Sequence, residues 1–285
     1  MNKKVYHIIL ICILVIFILF ILHINVEKNI DNIASEISLP ILMYHHFTTD
    51  ISKCNDNTIL VDKFQNDMET LKKAGYNTIS FSELYEFVYN NKSLPKNPII
   101  ITIDDGYLSN YDYAYKILKD LDMKACIFVI GKTVGVTNMK NPHFSYSQAK
   151  EMYQSGHVDI QSHTYNLHDI SIRKGILKLE TESKEEYISM LRNDLMLSKN
   201  NIKQNVNNNV IVLSYPYGLY DNLSLNIIKQ LGFKITVVTD EGMNIIQQNK
   251  FDCLYNLKRI NVNNDLKGNE LLQKIQSFNN IENVI

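Results

Sequence analysis

Tryptophan is absent from this 285-residue chain, and proline and glycine are scarce, at 5 and 10 residues. So little proline and glycine excludes a collagen-like or low-complexity chain. Without tryptophan, a ligand that stacks on aromatic rings would have to use tyrosine, which is abundant at 17. Cysteine is scarce as well. Cys12, Cys54, Cys126 and Cys253 are widely spaced with no C-x-x-C pair, which excludes a disulfide framework and a thiolate metal site. A net charge of −1 leaves no basic footprint for nucleic acid.

Charge is also missing from one particular place. No Asp, Glu, Lys or Arg lies between positions 5 and 26, and 8–22 is an unbroken apolar run. A stretch of about 20 uncharged residues can cross a bilayer as a helix. Lys3 and Lys4 on its short N-terminal side predict that this end stays in the cytoplasm. The expected plan is a cytoplasmic end at 1–4, a transmembrane signal anchor at 5–26, a polar linker at 27–38 and a domain at 39–285. That domain would lie outside the cell membrane. A cleaved signal peptide is the rival reading, but the first alanine is Ala34, so no A-x-A site follows the run. A buried core helix rarely has fifteen consecutive apolar residues.

Beyond the linker, short β-rich runs alternate with helical patterns. Strands are expected at 41–44, 98–103, 125–130, 158–162, 210–215, 235–238 and 257–262. Helices are expected at 61–74, 82–89, 111–121, 145–154, 184–199, 223–231 and 270–277. The Asn-rich segment 200–209 reads as a loop. Alternating β and α, with strands apolar on both faces, predict a parallel α/β sheet. About seven such units predict a distorted (β/α) barrel, whose chemistry would sit at the C-terminal strand ends.

Three segments place reactive residues at such ends. In PIIITIDDGY, Asp104 and Asp105 follow a buried strand. Adjacent strand residues point opposite ways unless the backbone turns, and Gly106 supplies a turn. D-D-G is also a common plain turn. However, two carboxylates at the end of a buried strand are costly without a compensating positive group. In HVDIQSHTYNLH, His163 ends a strand and His168 lies five residues on. A lone histidine is usually a surface or core residue. Two at a strand end can join one carboxylate around a divalent ion and leave positions open for water and substrate. In LSYPYGLY, residues 213–220, proline ends the strand and frees the Tyr217 N–H as a possible oxyanion donor. An ordinary Pro-Gly turn is the plainer alternative.

Together, TIDDGYLSNYDYA, SHTYNLH and YPYG resemble the polysaccharide deacetylases of carbohydrate esterase family 4, over roughly residues 40–265. The resemblance implies Asp104 as the catalytic base and Asp105, His163 and His168 as ligands of a divalent metal, zinc first. Cobalt, nickel or iron would also suit the set. The five-residue histidine spacing and the early ILMYHHF resemble the branch that acts on poly-β-1,6-N-acetylglucosamine. In that branch a histidine after the first strand replaces a late Leu-x-His acid. This implies His45 as general acid, with His46 second; strand alternation should turn the two opposite ways. Arg259 in LKRINV resembles the arginine that tethers the base, although a surface arginine is the alternative. The arginine usually found before Pro-Tyr is missing, with Leu213 and Ser214 in that region.

The implied partner is an N-acetylglucosamine polysaccharide, with peptidoglycan as the alternative glycan and a non-catalytic glycan-binding module as the rival class. A glycosidase using Asp104 and Asp105 as its acid pair fails, because such carboxylates flank the bond from about 5 Å or more apart.

Overall fold

The computed structural model describes residues 35–266 and 269–282. The expected anchor lies outside these residues. Among the described residues, no helix is long and apolar enough to cross a membrane.

Eight strands build a curled parallel sheet: β1 (Ile41–Tyr44), β2 (Asn77–Thr78), β3 (Pro98–Ile103), β4 (Ala125–Val129), β5 (Val158–Ser162), β6 (Val212–Ser214), β7 (Ile235–Val237) and β8 (Ile260–Asn261). The spatial order is β7-β6-β5-β4-β3-β1-β8, with β2 paired to the start of β3. Leu257 bridges Val237 while Ile260 and Asn261 pair with Leu42 and Met43. The last segment therefore touches both edges of the curl, consistent with a (β/α) barrel.

Helices α1 (Val61–Lys73), α2 (Phe81–Asn90), α3 (Tyr115–Asp120), α4 (Tyr146–Gln154), α5 (Lys184–Val206), α6 (Asn222–Gln230) and α7 (Glu270–Glu282) complete the α/β pattern. Capping boxes start α2 at Ser80 and Glu83, α4 at Ser145 and Gln148, and α5 at Ser183 and Glu186. In each, the cap side chain and the third helical residue satisfy otherwise unpaired N–H groups.

Strand periodicity sorts the core into two layers. Ile99, Ile101 and Ile103 cluster with helix residues such as Leu118, Leu191 and Leu195. Ile100 joins Ile41, Cys126, Phe128, Val212 and Ile235 inside the curl, where Phe81, Leu84, Phe87 and Val88 of α2 close its lower end. Thr102 and Asp104 share the parity of Ile100 and so continue the inner face.

Two expectations need correction. Residues 36–38 are not linker: Glu36–Leu39 pairs antiparallel with Asn244–Gln247. The Asn-rich segment is not a loop either, since α5 runs on through it to Val206. Ser198, Ile202 and Val206 recur every four residues and are buried, so packing outweighs asparagine's weak helix propensity. Asn207, at φ 65°, then ends the helix in the left-handed conformation that asparagine tolerates.

Candidate active site

Register brings the reactive residues to one rim. Tyr44 pairs with Ile103, Ile103 with Ile127, Val129 with Ser162 and Ser214 with Val237. The next residues along these strands include His45, Asp104, His163 and Tyr215, all at the C-terminal ends.

Asp104 is buried at 2% exposure and points into the curl. Arg259, fully buried, grips it in a fork, with Nη1 donating to Oδ1 at 2.7 Å and Nη2 to Oδ2 at 2.8 Å. Ser214 Oγ also donates to Oδ2, at 3.2 Å. Burial pushes the Asp104 carboxyl upward, but the Arg259 charge more than offsets it, helped by His163 and His45, and holds the group well below the usual range. Asp104 is therefore a fixed carboxylate.

Asp105 would point out among the helices if the strand simply continued. It instead adopts φ 75°, and Gly106 follows at φ 79°. The turn thus begins at Asp105 itself rather than at Gly106 alone. A left-handed non-glycine costs about 1–3 kcal/mol and persists only where neighbours enforce it. Here a short antiparallel contact does so. Tyr107 bridges His143, Leu108 N donates to the Pro142 carbonyl at 2.7 Å, and His143 Nδ1 donates to the Asp105 carbonyl at 3.1 Å. A Cβ on Gly106 would sit 3.0 Å from Val129 Cγ1. Gly106→Ala is expected to destabilise the protein by about 1–3 kcal/mol, read as a lower urea midpoint. An unchanged midpoint would contradict this account of the turn.

The turn aims Asp105 at the two histidines. Its Oδ1 is 3.6 Å from His163 Nε2 and 3.5 Å from His168 Nε2, and the three ligand atoms lie within 4.8 Å of one another. These distances are too long for hydrogen bonds. They are close to the spacing of about 3.3 Å between donors held ~2 Å from one tetrahedral ion. Oδ1 is buried and finds no hydrogen-bond donor among the described residues. His163 Nδ1–H donates to the Ser214 carbonyl at 2.8 Å, which leaves Nε2 as the free lone pair. Burial holds the His163 imidazole down, to about 4, against the pull of Asp104 and Asp105, so the ring is in the neutral form that binds metal. A buried, unpartnered carboxylate oxygen facing two imidazole nitrogens fits a divalent cation.

The two histidines of YHH have different surroundings. His45 is half-buried at the end of β1, and its carbonyl accepts from Asn110 Nδ2 at 2.7 Å. His46 bonds Ser109 Oγ through Nδ1 at 2.8 Å and packs on the Tyr107 ring. Tyr217 lies at φ 58° inside the turn after β6. Its hydroxyl donates to the His168 carbonyl at 2.7 Å and its ring lies tilted against the His168 ring, contacts that sequence gave no reason to expect. A cavity of about 390 Å³ opens beside Asp105 and His168, lined among others by Tyr107, Thr133, His143 and Asn166. His143 escaped the sequence reading because it sits in a loop, in NPHF, with no metal-ligand spacing to another histidine.

Comparison with known proteins follows the same lines. The polysaccharide deacetylase family profile matches residues 91–236. Bacillus subtilis YxkH, named for the same family, is 30% identical over 90% of this chain and 84% of its own length. A poly-β-1,6-N-acetyl-D-glucosamine N-deacetylase of Staphylococcus aureus is also 30% identical, over 66% of this chain but only 63% of that protein. The Streptococcus pyogenes deacetylase PplD superposes with a TM-score of 0.70 at 28% identity, covering 85% of this chain and 99% of that one. IcaB from Ammonifex degensii superposes with a TM-score of 0.71 at 23% identity, over 84% and 97% of the two chains, and so speaks for the fold. With the family profile on more than half the chain and a relative 30% identical over 90% of it, the chain belongs to the polysaccharide deacetylases, hydrolases that cleave a carbon–nitrogen bond as N-deacetylases.

Proposed function

We propose that the chain removes acetyl groups from N-acetylglucosamine units of an extracellular polysaccharide, poly-β-1,6-N-acetylglucosamine first, with a divalent metal held by Asp105, His163 and His168. The observation that carries the metal assignment is the buried, unpartnered Asp105 Oδ1 facing two imidazole nitrogens. The glycan rests on the named Staphylococcus aureus relative and on the histidine spacing.

A bound cation, zinc in the first place, supplies Lewis acidity that brings water to a pKa of about 7 and polarises an acyl oxygen. The chain's own groups do the rest. Asp104, fixed by Arg259, takes the proton of the attacking water. The Tyr217 N–H donates to the developing oxyanion. His45 protonates the leaving amine. Acetate and a free glucosamine unit result. His45 is preferred to His46 because His46 is already tied to Ser109. The apolar run at 8–22, with Lys3 and Lys4 before it, supports a single-pass anchor that puts the domain outside the membrane.

Two measurements on the full-length chain test this reading. Metal analysis is expected to find about one zinc-class ion per chain and to lose it in His163→Ala; retention by the variant would sink the ligand assignment. Acetate release is expected from β-1,6-linked N-acetylglucosamine oligomers in preference to peptidoglycan fragments. The reverse preference would move the proposal to peptidoglycan, the second reading.

A further inference from the structure

His163 and His168 must converge on one point although four residues separate them. Each of those four has its main-chain N–H taken by a side-chain oxygen. Thr164 N donates to Ser162 Oγ at 3.1 Å, and Leu167 N to Thr164 Oγ1 at 3.2 Å. The middle two, Tyr165 N and Asn166 N, donate to the two carboxylate oxygens of Asp194, each at 2.8 Å. Thr164 itself sits at φ 68°, a conformation that a β-branched residue adopts only under constraint. Asp194 comes from the middle of α5, distant in sequence and outside the loop. One turn on, Ser198, fully buried, bonds Ser162 Oγ at 2.8 Å, so the same helix face holds the loop at a second place.

We propose that Asp194 is a positioning residue for the metal site: its carboxylate fixes the curvature of residues 164–167 and so sets where His168 stands relative to His163 and Asp105. This deepens the metal-dependent reading above and rests on it. A carboxylate is the side chain suited to the task, because both of its oxygens only accept hydrogen bonds. An asparagine of the same shape must present an N–H₂ to one of the two N–H groups, so half the clamp becomes a clash of donors. With the loop relaxed, His168, whose ring is the more exposed of the two, would lose its aim first.

The test is the zinc dissociation constant of the full-length chain, measured by competition with a chromogenic chelator. Wild type, Asp194→Asn, His163→Ala and Leu195→Ala are compared, each with a thermal melt of the metal-free protein. Leu195 is a fully buried neighbour on α5 that takes part in none of these hydrogen bonds, so its variant reports plain loss of stability. Asp194→Asn is expected to raise the zinc constant about 10- to 100-fold, as loss of a group that orients a metal ligand does. Leu195→Ala is expected to lower the melting temperature by at least as much while binding zinc as wild type does. Wild-type zinc affinity in Asp194→Asn would overturn the proposal, as would an equal loss of affinity in Leu195→Ala. If wild type binds no zinc, or His163→Ala binds it equally well, the metal reading itself fails and takes this inference with it.

Discussion

Asp104→Asn is expected to lower kcat/KM for acetate release by about 10²- to 10⁴-fold, the usual worth of a general base, while the chain keeps its metal. The two halves of this result come from different faces of one turn. Asp104 continues the inner face of β3 and spends both oxygens on Arg259, with Ser214 on the second. Asp105, turned by its left-handed backbone, faces His163 and His168. Asparagine at 104 keeps the shape and leaves the Asp105 set intact. The proton acceptor disappears, and the new NH₂ meets an Arg259 donor, so the variant also loses stability and its rate must be taken per folded molecule. The strong pull of Arg259 makes Asp104 a weak base, yet it keeps the carboxylate fully ionised and fixed in direction. The proposed role therefore depends on placement more than on basicity. Initial rates at saturating zinc, normalised to folded protein by circular dichroism and to bound metal, decide it. Activity within tenfold of wild type would remove Asp104 from the role of base. Loss of metal along with activity would show instead that the two acids cannot be separated as drawn.

What could be read from the sequence follows a physical line. PIIITIDDG and HVDIQSH are visible because a buried parallel strand is apolar on both faces and chemistry collects where it ends. Spacing then offered two histidines and one carboxylate around an ion, the resemblance implied Asp105 as that carboxylate, and the structure brings Asp105, His163 and His168 together. The supports were not visible. Asp194, His143 and the Tyr217 hydroxyl act on backbone groups 29, 38 and 49 residues away in sequence. Such contacts leave no periodic trace, since a carboxylate in mid-helix looks like any solvated acid. The asparagine run misled for the opposite reason. Its composition argues for a loop, while a buried serine, isoleucine and valine at four-residue intervals argue for a helix, and the packing of α5 decided between them. Arg259 lies between these cases. A resemblance suggested the tether, but LKRINV suits a surface arginine equally well until β8 is seen to carry it into the curl.

That placement predicts the largest effect on stability. Arg259→Met is expected to cost about 3–5 kcal/mol, because it leaves Asp104 as a buried charge without a partner. The guanidinium has no exposure, and it also donates to the Val238 carbonyl at 2.8 Å and to Thr102 Oγ1 at 3.2 Å. It therefore joins β3, β6, the end of β7 and β8 at one point inside the sheet. Arg259→Lys keeps the charge but not the fork, so a single ammonium cannot meet both carboxylate oxygens and the Val238 carbonyl together. It is expected to fall between wild type and methionine. A double-mutant cycle with Asp104→Asn separates the pair from the rest. Once position 104 is neutral, Arg259→Met no longer strands a buried anion. Its cost should then fall by about 0.5–3 kcal/mol, the range for residues in direct contact. Urea unfolding of the four proteins measures this. Strict additivity would mean that Arg259 stabilises the fold through Val238, Thr102 and Ser214, and that its hold on Asp104 serves catalysis without supporting the fold.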